Sequence, residues 1–190
     1  MNTLIAYKKI ATVVFLTFFI LTNISCEQDM VTPDPDLLPP VALDRTGWEI
    51  IDYSTQEDND GEGAYPNGRC VAILDGNPDT FWHSCWNGCS PTTPHFIVVD
   101  MLNESQVSGF FLMQRQSLSR NIENCEIFIS NDNQNWESLG EFALEKIKVQ
   151  QDLALPETKT FRYFKFVVKS VFDGTGNAAL AELSPYTLDF

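Results

Sequence analysis

An alternation of apolar and polar side chains recurs in several segments, and this pattern most limits how the chain can fold. It is clear in residues 125–130 and 161–169, and it is typical of strands that bury one face. Residues 96–99 are a continuous apolar run, as expected of a strand buried on both faces. Helical periodicity is nearly absent, and residues 144–149 allow at most one short turn. The sequence therefore predicts an all-β domain.

Six strands can be placed in this domain. They cover residues 48–53, 96–101, 107–114, 125–130, 162–169 and 180–188. The turn-forming residues 131–135 stand between the fourth strand and Trp136, and they predict a hairpin. Short strands separated by turns favour a sandwich of two layers.

The N-terminus has the features of an export signal. Lys8 and Lys9 precede an apolar run at residues 10–24, which is too short for a membrane-spanning helix. Cys26 follows the run, as in a bacterial lipobox, and the acidic residues 27–29 resemble the surface-export signal of Bacteroidetes-type lipoproteins. We therefore expect residues 1–25 to be a lipoprotein signal peptide and Cys26 to be lipidated. The protein would then be surface-exposed on the outer membrane; the alternative is a secreted protein cleaved elsewhere.

The segment after Cys26 is rich in proline and aspartate. Residues 26–46 include Pro33, Pro35, Pro39 and Pro40 and lack apolar periodicity, which predicts an extended tether. Residues 47–190 have the length of one ordinary domain.

The chain is strongly acidic. Its net charge is -14, and without residues 1–25, which hold two lysines and no acid, 10 basic and 26 acidic residues leave -16. Such a surface repels phosphate backbones, so nucleic acid is excluded as a partner. It suits divalent cations and argues against strongly anionic glycans.

Four cysteines besides Cys26 lie in the domain, at positions 70, 85, 89 and 125. An exported protein can oxidise them, and four cysteines allow three pairings. Cys85 and Cys89 are close in sequence with Gly88 between them, so a local disulfide is one possibility. A zinc site is the alternative, although the spacings lack the usual paired pattern.

One segment, residues 73–86, concentrates the chemistry. Asp75, Asn77 and Thr80 carry oxygens, which suit a hard cation such as Ca²⁺. The same residues could instead form a plain turn capped by Thr80. His83 and Trp86 follow and offer a polar group and an apolar plate, as a sugar ring requires.

Five motifs in order carry a family resemblance. They are residues 75–82, 94–101, 107–116, 126–136 and 181–183. Together they resemble the discoidin domain, also called the coagulation factor 5/8 type C domain, and within it the family-32 carbohydrate-binding modules. The resemblance covers residues 48–186 and implies an eight-stranded jelly-roll β-sandwich.

The resemblance implies a structural Ca²⁺ site that ties distant parts of the chain together. Its ligands would be three carbonyls, two carboxylates and the hydroxyl and carbonyl of one threonine. Carried over to this sequence, the ligands are Ala72, Asp75, Asn77, Thr80, Ala181 and Glu182.

The resemblance also implies a sugar site. His83 would bond ring hydroxyls, Trp86 would stack on the sugar, and Arg115 would donate hydrogen bonds, although Arg115 could instead pair with an acid. Further ligand residues would be Asn121 (or Asn124), Glu62 and Phe172. By contrast, we expect Trp48, Trp82 and Trp136 in the core, and His95 bonded to local backbone.

The expected function is that of a noncatalytic cell-surface lipoprotein that binds glycans ending in galactose or N-acetylgalactosamine. It would serve neighbouring glycan-degrading or transport proteins. The alternative is a protein-binding adhesion or complex-assembly module on the same fold. Convergence of His83, Trp86 and Arg115 in one concave patch would favour the sugar. An enzyme is not expected, since two histidines come with no recognisable set of nucleophile, base and orienting group.

Overall fold

The computed structural model describes residues 39–58, 60 and 65–188. These residues form eight strands and one 3₁₀ helix, Cys70–Leu74, and none of them lies in an α-helix. The strands are β1 (Pro40–Ala42), β2 (Glu49–Tyr53), β3 (Trp82–His83), β4 (His95–Gln114), β5 (Ile122–Ser130), β6 (Glu137–Ala143), β7 (Gln151–Val171) and β8 (Ala179–Leu188). The predicted all-β, eight-stranded sandwich is confirmed.

Two long, bent strands build both layers of the sandwich. Residues 95–100 of β4 pair with β2 and with the second half of β7, whereas residues 109–114 pair with β8. The ladder between β4 and β7 is interrupted between Asp100 and Ser105, where Leu102 has a φ of 69°. The two strands predicted at residues 96–101 and 107–114 are thus the two halves of one strand, β4, on either side of this interruption. Across the whole sheet the order is β1-β8-β4-β7-β5-β6, with β2 added on β4 and β3 on β8.

Aromatic side chains fill the space between the layers. Trp82, Phe110, Phe161, Phe164 and Phe166 are at most 1% exposed. The ring of Phe110 contacts those of Phe161 and Phe164, with centroids 6.4 and 5.5 Å away. Trp82 is thus in the core, as predicted, and its indole N–H donates to the carbonyl of Thr55 at 3.0 Å.

The folded domain begins earlier in the chain than the sequence suggested. β1 lies within the predicted tether and pairs with the last residues of β8, from Pro40 opposite Leu188 to Ala42 opposite Tyr186. Arg45, also in the predicted tether, donates to the carboxylate of Glu182 at 2.6 Å. Main-chain pairing and one ion pair hold this exposed segment, so apolar periodicity could not reveal it. The predicted signal peptide, Cys26 and Glu62 lie outside the described residues.

The two ends of the sandwich are defined by the two ends of β8. Its first residues pair with β3 and its last with β1, and about 27 Å of strand separates them. We call the end that carries residues 54–58, 84–94, 115–121 and 172–178 the loop end. The chain enters the domain at the opposite end. Among the described residues, no helix has the length and apolar character needed to cross a bilayer.

Candidate functional site

A cavity of about 470 Å³ opens at the loop end. His83 reaches it from the end of β3, Trp86 from the next loop, and Arg115 from the residue after β4. Its lining consists of Asp60, His83, Trp86, Arg115, Ser119, Arg120 and Asn177. Three side chains predicted to bind ligand, two from residues 83–86 and one from the end of β4, therefore meet in one concavity.

His83 is buried in the wall of this cavity and its tautomer is set by one bond. Its Nδ1 lies 2.6 Å from the carbonyl oxygen of Ser84, so Nδ1 carries the proton and donates. In the neutral ring, Nε2 is then a hydrogen-bond acceptor. Burial lowers the pKa of His83 below its usual value, and the positive charge of Arg115 acts in the same direction. His83 is therefore neutral at pH 7.

Trp86 is the exposed aromatic face of the cavity. The side chain is 48% exposed, and its ring meets the His83 ring edge-on, with centroids 6.5 Å apart. Its indole N–H donates to the carboxylate of Asp60 at 3.4 Å. The structure contains a disulfide between Cys85 and Cys89, with Cα atoms 6.0 Å apart, so Trp86 lies inside a small closed loop.

Arg115 brings a positive charge into the buried wall. It is 5% exposed, and its guanidinium lies over the ring of Phe81, 3.9 Å from the centroid. Stacking of this kind fixes the guanidinium plane. Arg120, also in the lining, forms an ion pair with Asp173 at 2.8 Å. The lining therefore contains the carboxylate of Asp60 as well as the two arginines, and Arg120 is paired with a further carboxylate.

The remaining predicted ligand residues that the structure describes do not line the cavity. Asn121 is 1% exposed, and its amide bonds the backbone of Arg115 or Leu118 in either of its two orientations. Asn124 bonds Ser170 on β7. Phe172 is 37% exposed, with its backbone N–H bonded to the carbonyl of Asn121.

Four lining residues were not predicted: Asp60, Ser119, Arg120 and Asn177. All lie in irregular loops, where side-chain direction follows no period. The nearest signal was polarity, since each is polar in a stretch rich in turn formers. That signal does not distinguish them from their neighbours.

The second histidine serves the fold. His95 is 1% exposed, and its Nε2 donates to the carbonyl of Gly176 at 2.6 Å. The expectation of a backbone partner is confirmed, but that partner is 81 residues away rather than local.

The acidic turn after the 3₁₀ helix has oxygens that could hold a cation. Asp75 accepts the N–H of Asn77 at 2.8 Å and the hydroxyl of Thr80 at 2.7 Å. Glu182 on β8 has one carboxylate oxygen bonded to Arg45, whereas the other is buried without a hydrogen-bond partner. Burial and the nearby Asp75 charge raise the pKa of Glu182 to about 7. A buried, unbonded carboxylate oxygen beside a second carboxylate fits a hard cation such as Ca²⁺.

The cysteines do not offer a zinc site in the described residues. Cys85 and Cys89 are oxidised to a disulfide, and Cys70 and Cys125 are buried thiols in the core. Burial raises the pKa of both thiols, which disfavours the thiolate that zinc requires.

The fold and the cavity together define a β-sandwich binding domain with its site in the loops at one end. The model of the F5/8 type C domain matches residues 51–183, and the chain belongs to this family, the discoidin domains. Domains of this family are typically noncatalytic binding modules. The resemblance stated from the sequence motifs is confirmed.

Solved structures with the same fold include carbohydrate-binding modules. The C-terminal domain of a chitobiase from Bacteroides fragilis is 33% identical, with a TM-score of 0.69 over 77% of this chain and 98% of that one. A family-32 carbohydrate-binding module from Clostridium perfringens, solved in complex with galactose, is 22% identical with a TM-score of 0.65 over 78% of this chain and all of that one. At this identity the second likeness shows the fold alone.

The curated relatives are much longer proteins. Galactose oxidase of Gibberella zeae is 28% identical over 152 residues, which cover 76% of this chain and 20% of that enzyme. Sialidase of Micromonospora viridifaciens is 29% identical over 143 residues, 74% of this chain and 21% of that enzyme. The chain thus spans about a fifth of the length of these relatives.

Proposed function

We propose that this protein is a noncatalytic carbohydrate-binding protein whose cavity at the loop end takes the galactose or N-acetylgalactosamine terminus of a glycan. The observation that carries the proposal is the meeting of His83, Trp86 and Arg115 in one cavity. These groups supply an acceptor, an apolar face and several fixed donors. A pyranose ring needs all three, because it has one apolar face and a rim of hydroxyls.

The charge balance of the cavity supports a neutral sugar. Arg115 and Arg120 are accompanied by Asp60 in the lining and by Asp173, which pairs with Arg120. An anionic ligand would have to displace or face these acids, and the chain carries a net charge of -14. Hydroxyls can both donate to the carboxylate of Asp60 and accept from the arginines.

Sugar complexes of related folds give further support. Besides the module bound to galactose, another module from Clostridium perfringens was solved with N-acetylgalactosamine-β-1,3-galactose, at 19% identity and a TM-score of 0.68. A single shallow site should bind weakly, with a Kd of about 1 mM. Several copies on one surface would raise the avidity.

The cell-surface part of the proposal depends on the N-terminal sequence. Lipidation at Cys26 would anchor the protein in the outer membrane, with the domain exposed and able to serve glycan-degrading or transport proteins. One structural observation supports this arrangement. The chain enters the domain at β1, at the end opposite the cavity, so the cavity opens on the side away from the entering chain.

We further propose a structural Ca²⁺ held by Ala72, Asp75, Asn77, Thr80, Ala181 and Glu182. The unbonded buried oxygen of Glu182 supports it. The ion would neutralise two adjacent carboxylates and connect the turn at residues 75–80 to β8.

A protein-binding role on the same fold is less well supported. It would be favoured by exposed aromatics that do not converge with His83 and Arg115, whereas Trp86 and both of these residues share one cavity. The noncatalytic character rests on the family, and the curated enzymes resemble this chain over only about a fifth of their length.

Calorimetric titration with galactose, together with a glycan array, tests the sugar site. We expect millimolar binding by the wild type and at least a tenfold weaker affinity in His83→Ala and Arg115→Ala, since each loses hydrogen bonds to the ligand. Arg162→Ala is the matched control, because this arginine pairs with Asp100 at the opposite end. Absence of binding by the wild type to every galactose-type glycan, or wild-type affinity in both site variants, would reject the proposal.

A further inference from the structure

The loop that carries Trp86, residues 84–90, has no regular secondary structure and is nevertheless fixed at its start. The backbone N–H of Ser84 donates to the carbonyl of Ala178 at 2.9 Å, and the Ser84 hydroxyl accepts the N–H of Ala178 at 3.0 Å. The disulfide between Cys85 and Cys89 closes the loop. Neither contact involves Trp86 directly, so the orientation of its half-exposed ring needs another cause.

Glu57 supplies backbone bonds at Trp86 itself. One carboxylate oxygen of Glu57 accepts the N–H of Trp86 at 3.1 Å and the N–H of Asn87 at 3.0 Å. The preceding amide, that of Cys85, donates to the hydroxyl of Thr55 at 3.1 Å. Three successive amides of the loop are thus held by two side chains of one short segment. Bonds from amides to a carboxylate are charge-assisted and stronger than neutral ones.

Glu57 is itself held firmly, and it lies next to His83. It is 5% exposed, and its backbone N–H is shared between the carbonyl of His83 at 2.9 Å and that of Gly68 at 3.2 Å. A carboxylate oxygen of Glu57 and the sulfurs of Cys85 and Cys89 all lie within 4.8 Å of one another. Glu57 therefore connects the backbone of His83 to that of Trp86.

We propose that Glu57 is a positioning residue that orients Trp86 for ligand stacking, an inference that rests on the proposed function. Glu57 is not among the residues that line the cavity, so it acts through Trp86 and not through the sugar. Among the described residues, the Trp86 side chain forms a long hydrogen bond to Asp60 and an edge contact with His83. Without Glu57 the loop would be less ordered in the free protein. Part of the binding free energy would then be spent on ordering it.

The orientation of Trp86 can be measured without any sugar. In ¹H–¹⁵N spectra the indole N–H signal of Trp86 is assigned by its loss in Trp86→Phe. We expect Glu57→Ala to shift or broaden that signal, while those of Trp48 and Trp136 stay in place. Glu57→Gln keeps an acceptor oxygen without the charge, and it should give an intermediate spectrum. This graded recovery would not follow from a general loss of stability.

Galactose titration of the same variants measures the consequence. Glu57→Ala should raise the Kd about tenfold, equivalent to about 1.4 kcal/mol, and Glu57→Gln should raise it less. Asp100→Ala is the matched control, since Asp100 is also a buried carboxylate (7% exposed) and is bonded to Arg162 and to the N–H of Leu102 at the opposite end. It should lower the Tm and leave the Kd unchanged.

A folded Glu57→Ala variant with wild-type Kd and an unchanged Trp86 signal would overturn the proposal. If that variant does not fold, Glu57→Gln decides: a shifted Trp86 signal supports the positioning role and an unchanged one rejects it. If the wild type binds no galactose, the proposed function fails, but the indole signal still shows whether Glu57 orders Trp86.

Discussion

The two histidines show how much the role of a single residue depends on its neighbours in the folded protein. Both are buried, both have a pKa lowered mainly by burial, and both donate one ring proton to a carbonyl. Only His83 lines the cavity. In sequence, His83 follows the apolar pair Phe81 and Trp82, and His95 precedes the apolar run at residues 96–99. The location of His83 in the cavity therefore depends on where β3 ends, and its residue type alone does not determine it.

Binding of galactose should weaken as the pH falls below the usual histidine range. The neutral ring of His83 accepts through Nε2, and protonation removes this acceptor and adds a charge near Arg115 and Arg120. Because burial lowers the pKa of His83, affinity should be full at pH 7 and fall below about pH 6. Calorimetry between pH 5 and 8 measures this profile.

The control for the pH profile is His83→Asn. Its amide oxygen can accept a hydrogen bond but does not titrate, so binding should be weaker and flat with pH. A fall of equal size in this variant would assign the titration to another group.

At the scale of elements, the site is assembled by segments that have no periodic pattern. The segment from Thr55 to Asp60 bonds the loop of Trp86 through three side chains. Gly68 lies against this segment with a φ of 88°, and a Cβ there would collide with the carbonyl of Glu57 and lie 2.9 Å from Cβ of Asp60. Close approach at one glycine thus sets the position of the bonding segment.

Gly68→Ala should therefore reduce both stability and sugar binding. Gly140→Ala is a close control, since Gly140 also has a positive φ, 103°, but a Cβ there would meet nothing within 4 Å. The control should lose about 1 kcal/mol of unfolding free energy from backbone strain alone and keep its affinity. Gly68→Ala should lose more, and its Kd should rise because Glu57 and Asp60 are displaced. Thermal melts and galactose titration test this, and equal behaviour of the two variants would contradict it.

At the scale of the whole molecule, Glu182 connects three distant segments. It pairs with Arg45 near the start of the domain, belongs to β8, and lies beside Asp75 in the turn after the 3₁₀ helix. A cation between the two carboxylates would bind the folded state only, because the unfolded chain does not bring them together.

We expect EDTA to lower the Tm of the Ca²⁺-loaded protein by about 5–10 °C, the shift for an ion at a hundred times its Kd. Differential scanning calorimetry with and without Ca²⁺ measures it. Glu182→Gln should melt lower and respond little to EDTA, which separates this site from chelation elsewhere. An unchanged wild-type melt would remove the Ca²⁺ proposal.

The fold was predictable to the extent that burial leaves a trace in the sequence. The alternation at residues 125–130 and the apolar run at residues 96–99 correspond to parts of β5 and β4. β1 and β3 were not predicted, because they have three and two residues, respectively, which are too few to show a period. The first half of β7, from Gln151, was also not predicted, since many of its side chains are exposed and leave no apolar pattern.

The sequence by itself determined the all-β class, the family and three of the residues that meet in the cavity, because strand periodicity and local motifs are written in neighbouring residues. Tertiary structure alone decided which tautomer His83 adopts, that Asp60 and Arg120 belong to the site, and that Glu57 holds the loop of Trp86. The physical reason is the same in each case. Hydrogen bonds and burial depend on side chains that are distant along the chain and become neighbours only when the sandwich closes.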